Sequence, residues 1–137
     1  MNWLKAIIAA LMIMAASDAR AQLPTCPAPA KPMLHAELLF GRNIGGRLGV
    51  SERQWARYLA RELTPRFPDG LSVIDAAGQW RDAERGVVVR EPSKIVVIVM
   101  ADETAARERL AAAAAVYKQR FKQQSVAVLT RPVCATF

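Results

Sequence analysis

The chain has a single histidine, His35, two residues before Glu37. In an extended segment such a pair shares one face. Imidazole and carboxylate side by side could do acid–base work, and Asp75 would complete a compact polar set if a second strand brought it to that face. One histidine with no cysteine nearby does not make a closed zinc site. A second candidate is "GRNIGGRLG", residues 41–49, which carries Arg42 and Arg47 on the way into a helix. Main-chain N–H groups, the helix start and guanidinium forks could hold an anion there. The segment has neither the Lys-Ser/Thr of a Walker loop nor the spacing of a dinucleotide fingerprint. Arg66, Asp69, Asp75, Gln79, Trp80, Arg81 and Glu91 form the third group. Trp80 beside Arg81 offers a stacking platform for a flat or sugar-like ligand. Arg66 with Asp75 or Glu91 makes an ion pair that would fix a loop, and Asp69 before Gly70 reads as a turn. Gly-x-Ser-x-Gly is missing, and both cysteines are expected to be oxidised, so no nucleophile is assembled. Each group also has a structural reading: a surface-edge histidine, a flexible connector, an ion-paired turn.

The elements that must position these residues follow from hydrophobic period. "LHAELLF", residues 34–40, alternates as a first strand. Ser51 and Gln54 are spaced as a capping box, with Val50 and Trp55 as a hydrophobic staple. Trp55, Tyr58, Leu59 and Leu63 then line one helical face, and Pro65 is expected to close the helix. Residues 71–76 alternate as a second strand, followed by a hairpin whose charged tip is residues 82–86. "REPS" reads as a break, since Pro92 cannot donate to a ladder. "KIVVIVM" is a third strand. Asp102 is the expected cap of a second helix with Ala106, Leu110, Ala113, Ala114, Tyr117 and Phe121 on its buried stripe. "SVAVLTRPV", residues 125–133, is the last strand.

The order β, α, β, β, α, β is ferredoxin-like: an α+β sandwich with a four-stranded antiparallel sheet and two helices on one face. In that topology the first and last strands are neighbours, which puts Cys26 and Cys134 on one edge of the sheet. A disulfide between them closes a loop of about a hundred residues, worth up to ~4 to 5 kcal/mol in the chain-entropy model. The third strand is apolar at nearly every position, as if buried on both faces. Helices cover only one, so a second copy of the chain is expected on the other, the alternative being a small exposed patch partly shielded by the long hairpin and the Pro-rich leader.

The N-terminus reads as a secretory signal peptide over residues 1–21: Lys5, an apolar run to Ala16, and Ala19-Arg20-Ala21 at the cleavage site. The apolar run is shorter than the ~20 residues that span a bilayer. A Pro-rich extended leader, residues 22–33, precedes a single domain, residues 34–137. The expected location is periplasmic or extracellular, where two cysteines form a disulfide. A lipid anchor on Cys26 is the alternative, opposed by a preceding Leu-Pro-Thr. The net charge of +7 favours anionic partners. Nucleic acid is not an expected partner: that would need basic residues interleaved with exposed aromatics on one surface, the arginines are spread from Arg42 to Arg131, and export argues against it.

At "TPRFPDGLSVIDAAGQWRD" and "REPSK", with "LLFGR" upstream and a cysteine near the C-terminus, the chain resembles a family of small exported bacterial proteins known only as a domain of unknown function. The resemblance implies one α+β domain behind a signal or lipoprotein leader and implies no activity; the chain lacks the lipid-attachment box of lipoprotein-type members. The expectation is therefore an exported, non-catalytic binding or interaction module without a cofactor. Its ligand, if any, would be anionic and near Arg42, Arg47, Arg66 and Trp80. The alternative is a small enzyme using His35 with Glu37 or Asp75.

Overall fold

A computed structural model describes residues 25–137; the expected signal peptide and the first leader residues lie outside them. The elements run β1 (Lys31–Gly41), α1, β2 (Ser72–Arg81), β3 (Val88–Met100), α2 (Thr104–Phe121) and β4 (Ala127–Ala135). We use α1 for three continuous pieces: Glu52–Tyr58, a π turn at Leu59–Leu63, and a last turn at Thr64–Arg66. The strands form one antiparallel sheet in the order β2-β3-β1-β4, the ferredoxin-like arrangement.

Alternation along β1 sends Leu34, Ala36, Leu38 and Phe40 inward, all fully buried, and the register places Val96, Ile98 and Met100 of β3 beside them. Both helices pack on this face. Trp55, Tyr58 and Leu63 of α1 are buried, and on α2 the buried residues are the six expected from the helical period. Phe40 is the hub. Its ring centroid lies 4.7 Å from Tyr117, 5.3 Å from Trp55 and 5.6 Å from Tyr58, in tilted and edge-on contacts. The tyrosine hydroxyls donate to the carbonyls of Ala113 (from Tyr58, 2.9 Å) and Gly41 (from Tyr117, 2.8 Å). Burial pushes both phenols well above their ordinary range, so they act as neutral donors.

The capping box at Ser51 and Gln54 is present with both of its hydrogen bonds. The expected end of α1 at Pro65 is corrected: the helix passes through Pro65 to Arg66. The π turn makes this possible. Thr64 N–H bonds to Leu59 five residues back, and the widened turn relieves the clash of a proline ring with the carbonyl of residue i−4. Asp102 is not the cap of α2 either. The N-cap is Glu103, without a side-chain bond, and the Asp102 carboxylate instead accepts from Arg107 at 2.7 Å.

"REPS" does not break the strand. Arg42 N–H donates to the Pro92 carbonyl at 3.1 Å. The carbonyl and nitrogen of one residue point to the same side of a strand, so the missing Pro92 N–H faces the side where β1 has ended. Past the Gly41↔Ser93 pair, β2 and β3 continue alone as a ribbon to the Arg81↔Val88 pair. Its tip explains the charges between two apolar runs. Asp82 accepts from the N–H groups of Glu84 and Arg85 and from Arg85 Nε. These bonds, the Arg85 amide first, hold its carboxyl below the usual range.

The expected two-sided burial of β3 is reduced to a gradient. Its inward residues are buried and its outward ones, Ile95, Val97 and Val99, are half-buried. Beside them on the open face lie Leu39, Ile74 and Leu129, exposed at 36%, 50% and 50%. The disulfide joins Cys26 to Cys134 across a sequence separation of 108, with Cα atoms 5.6 Å apart. Lys31 to Met33, expected in the leader, pair with β4 from Val133 to Ala135 and bring Cys26 to that edge.

Candidate functional site

Arg42 was a candidate anion ligand; the fold turns it inward. It is 6% exposed, and it donates through Nε to the Val50 carbonyl at 2.9 Å and through Nη1 to Glu52 at 2.5 Å. Glu52 also accepts from Lys94 at 3.0 Å, and Lys94 is bonded in turn to Asp75. The result is a chain of alternating charge, Arg42–Glu52–Lys94–Asp75, that ties the start of α1 to β2 and β3. The Lys94 hydrogen bond, assisted by Arg42, holds the Glu52 carboxyl below its ordinary value. Asp75, the largest cause, with Glu52 behind it, holds Lys94 above its own.

Burial is uneven along this chain. The side chains of Arg42 and Lys94 are 7% and 6% exposed, those of Glu52 and Asp75 67% and 83%. Removing Glu52 leaves Arg42 buried without a counter-charge and takes one of two carboxylates from Lys94, whereas removing Lys94 leaves carboxylates that water can solvate. Glu52→Gln is expected to lower the urea midpoint at pH 7 more than Lys94→Met does. A carboxyl with a depressed folded pKa stabilises above its unfolded pKa and loses that contribution as pH falls through the folded one. The gap between wild type and Glu52→Gln should thus close on going from about pH 5 into strong acid. A larger cost for Lys94→Met, or a gap independent of pH, would refute the assignment.

The other predicted residues are scattered. Arg47 is exposed in a two-residue ladder, Asn43–Ile44 with Arg47–Leu48, whose turn residues Gly45 and Gly46 have φ of 58° and 81°. Both sit in the left-handed region that glycine alone enters freely. Trp80 and Arg81, adjacent in β2, point to opposite faces of the ribbon. Arg66 lies at the far end of β3 from Arg42: its cleft reaches Met100, whereas Arg42 bonds to Pro92, about 25 Å away along the strand at the usual rise. One ligand of small size does not touch both. His35 and Glu37 do meet on the open face, with Nε2 and Oε1 2.9 Å apart. Asp75 does not join them, because the Asp75↔Lys94 pair points to the helix face. Glu91 likewise stays with the ribbon base, where it accepts from the Asn43 N–H. Among the described residues no group of three or more His, Cys, Asp or Glu is placed to hold a metal.

A concavity lies elsewhere. The turn that closes α1, residues 65–70, forms one wall; the end of β3, residues 98–100, forms the floor; Glu103 and Arg109 of α2 close the other side, around a volume of about 400 Å³. Local sequence explains the wall. The π turn lets α1 run on to Arg66, Phe67 N–H closes on the Leu63 carbonyl, and Gly70 N–H on the Phe67 carbonyl, so "PRFPDG" folds as a compact rim. Phe67 and Met100 bring buried apolar surface.

Two guanidinium groups face this cleft. Arg66 is committed to Glu62, donating from Nη1 to its carbonyl at 2.7 Å and to its carboxylate at 2.8 Å. Arg66, with Arg120 second, holds the Glu62 carboxyl low. Arg109 is the uncommitted one. Its Nε is buried without a hydrogen-bond partner, and its Nη2 stands 3.8 Å from Glu103, beyond bonding distance. Sequence reasoning missed Arg109, although a signal exists: it lies three residues after Ala106 and four before Ala113, on the margin of the buried stripe, where an arginine must either pair or face a cavity.

The family model described as "Protein of unknown function (DUF3574)" matches residues 35–137, and the chain belongs to that family. No curated protein matches it. Among solved structures it is similar to a phage SAM lyase in complex with S-methyl-5'-thioadenosine, at 17% identity over 77% of this chain and 90% of that one, with a TM-score of 0.60. The same lyase in its apo state aligns at 16% identity over 85% of this chain and 97% of that one, TM-score 0.58. At these identities the likeness is one of fold.

Proposed function

We propose that this member of a family without an assigned activity is an exported binding module, and that it takes a small anion in the cleft between the α1–β2 turn and α2. One observation carries this reading: Arg109 lines the cleft with a guanidinium that is not satisfied, its Nε buried without a partner and its Nη2 3.8 Å from the Glu103 carboxylate. A buried donor left unsatisfied is costly and calls for an acceptor. The basic balance of the chain adds attraction for an anion, while in the lining itself Arg66 is taken up by Glu62 and Asp69 and Glu103 carry the opposite charge, which leaves Arg109 as the anchor. Export is supported by the disulfide, and among the described residues no helix is long and apolar enough to cross a membrane. The expected result is that a carboxylate probe such as propionate shifts the NMR signals of residues lining the cleft, and that Arg109→Met weakens it about tenfold or more, the worth of a charged hydrogen bond. Unchanged binding in that variant would remove the cleft from consideration.

The proposed module is a homodimer through its open sheet face, as the apolar residues there require a cover. An enzymatic alternative rests on the His35–Glu37 bond, with the histidine side chain 17% exposed and opposite Val99 and Arg131 in the sheet. That pair would be a general base only if the dimer interface left a pocket over it. The similar phage lyase contributes a fold to this alternative and no substrate.

A further inference from the structure

The floor of the cleft is a strand edge, and its polarity can be read from the register. Arg42 N–H donates to the Pro92 carbonyl, so Pro92 points toward β1. Main-chain groups of successive residues in an antiparallel ladder point to alternate sides. Ser93, Ile95, Val97 and Val99 therefore direct their N–H and C=O toward β2. The last β2–β3 pair is Ser72↔Val97. Gly70, which would oppose Val99, has a φ of +128° and gives its N–H to the Phe67 carbonyl at 3.2 Å instead. Val99 thus presents one donor and one acceptor, at strand spacing, to the cleft that it lines. Its side chain points to the other face, so its place in the lining is a main-chain one.

We infer that the cleft captures the carboxylate end of an extended peptide or N-acyl amino acid, an inference that rests on the anion-binding reading above. The terminal residue pairs with Val99 as one further rung of the ladder: its N–H donates to the Val99 carbonyl, and one carboxylate oxygen accepts from the Val99 N–H. The second carboxylate oxygen accepts from the accessible part of the Arg109 guanidinium. This satisfies three groups at once with the chemistry of strand addition, in which main-chain bonds supply affinity and a charge fixes the end of the ligand. A phosphate or a bare carboxylate would meet the arginine and leave the Val99 carbonyl without a donor. An amide without a terminal charge would leave Arg109 unsatisfied.

The test compares three probes on the oxidised, isotope-labelled chain, read from the Val99 and Gly70 amides and the Arg109 Nε signal. N-acetyl-L-alanine has both the carboxylate and the N–H; O-acetyl-L-lactate replaces that N–H by an ester oxygen; propionate has the carboxylate alone. N-acetyl-L-alanine is expected to bind about three- to tenfold more tightly than O-acetyl-L-lactate, the range that one hydrogen bond supplies. It should also shift Val99, and Arg109→Met should weaken all three probes. Equal affinities for the alanine and lactate probes would overturn the strand-edge inference and leave the anion site standing. If none of the three binds, both are overturned.

Discussion

Replacing Cys26 and Cys134 by serine is expected to destabilise the protein by about 4 to 5 kcal/mol, close to the limit for a single disulfide. The bond spans 108 positions, and the entropy that such a cross-link removes from the unfolded chain grows with the logarithm of loop length. A domain of this size has only about 5 to 15 kcal/mol in hand. The bond also stands where the native sheet is weakest. β4 is an edge strand exposed along nearly all of its length, and the pairs Lys31↔Ala135 to Met33↔Val133 are anchored on one side only. Without the bond, amide exchange should rise first in those pairs and then across β4, while β1 and β3 next to the helices stay protected. Urea unfolding of the double serine variant, or of the wild type with reductant, measures the loss. A cost under about 1 kcal/mol would show that the cross-link restrains little. A fold that leans this far on one disulfide suits an oxidising compartment.

The disulfide, the strand order and the buried stripe of α2 were legible in the sequence because each depends on a short-range pattern. A period of 3.6 picks out Ala106, Leu110, Ala113, Ala114, Tyr117 and Phe121 without reference to anything else. The βαββαβ order then brings the chain's ends together. What was not legible depends on offsets between elements. Pro65 ends most helices; here one π turn, a matter of a single extra residue between Leu59 and Thr64, carries the helix past it and builds the cleft wall. Arg42 in a glycine-rich loop looks like a ligand-binding arginine. It is instead a buried partner of Glu52, because the loop folds back on the start of α1. The cleft exists because β2 stops pairing at Ser72 while β3 runs on to Met100. Strand composition cannot reveal a register offset of this kind. Trp80 and Arg81 were read as one platform, yet adjacent strand residues face opposite ways, so that part of the expectation fails on geometry already implied by the strand assignment.

The remaining large effect is expected at the open sheet face. Leu39, Ile74, Ile95, Val97, Val99 and Leu129 share that face across all four strands. Four strands at about 4.8 Å and some eight residues at about 3.3 Å give a projected area of roughly 500 Å². Pleating and the adjoining ribbon face with Trp80 enlarge it toward the roughly 800 Å² per partner of a standard interface. A two-fold contact presents one surface to itself, so its charges must be self-complementary. This face carries both signs, Arg131 on β4 and Glu37 on β1 between Val97 and Leu129 and bonded to His35, and a second copy is expected to set each against the other's counterpart. The wild-type chain should sediment as a dimer. Ile74→Lys and Leu129→Lys, at the two edges of the patch, should each give a monomer with an unchanged circular dichroism spectrum, because both side chains are half-exposed in the single chain and support no core. A two-fold contact carries each change twice and buries unpaired lysine charges in an apolar surface, so either change alone should suffice. If the wild-type chain is monomeric at every concentration tested, or if both variants remain dimers, the open face is not the interface. The His35–Glu37 pair would then have no second wall over it.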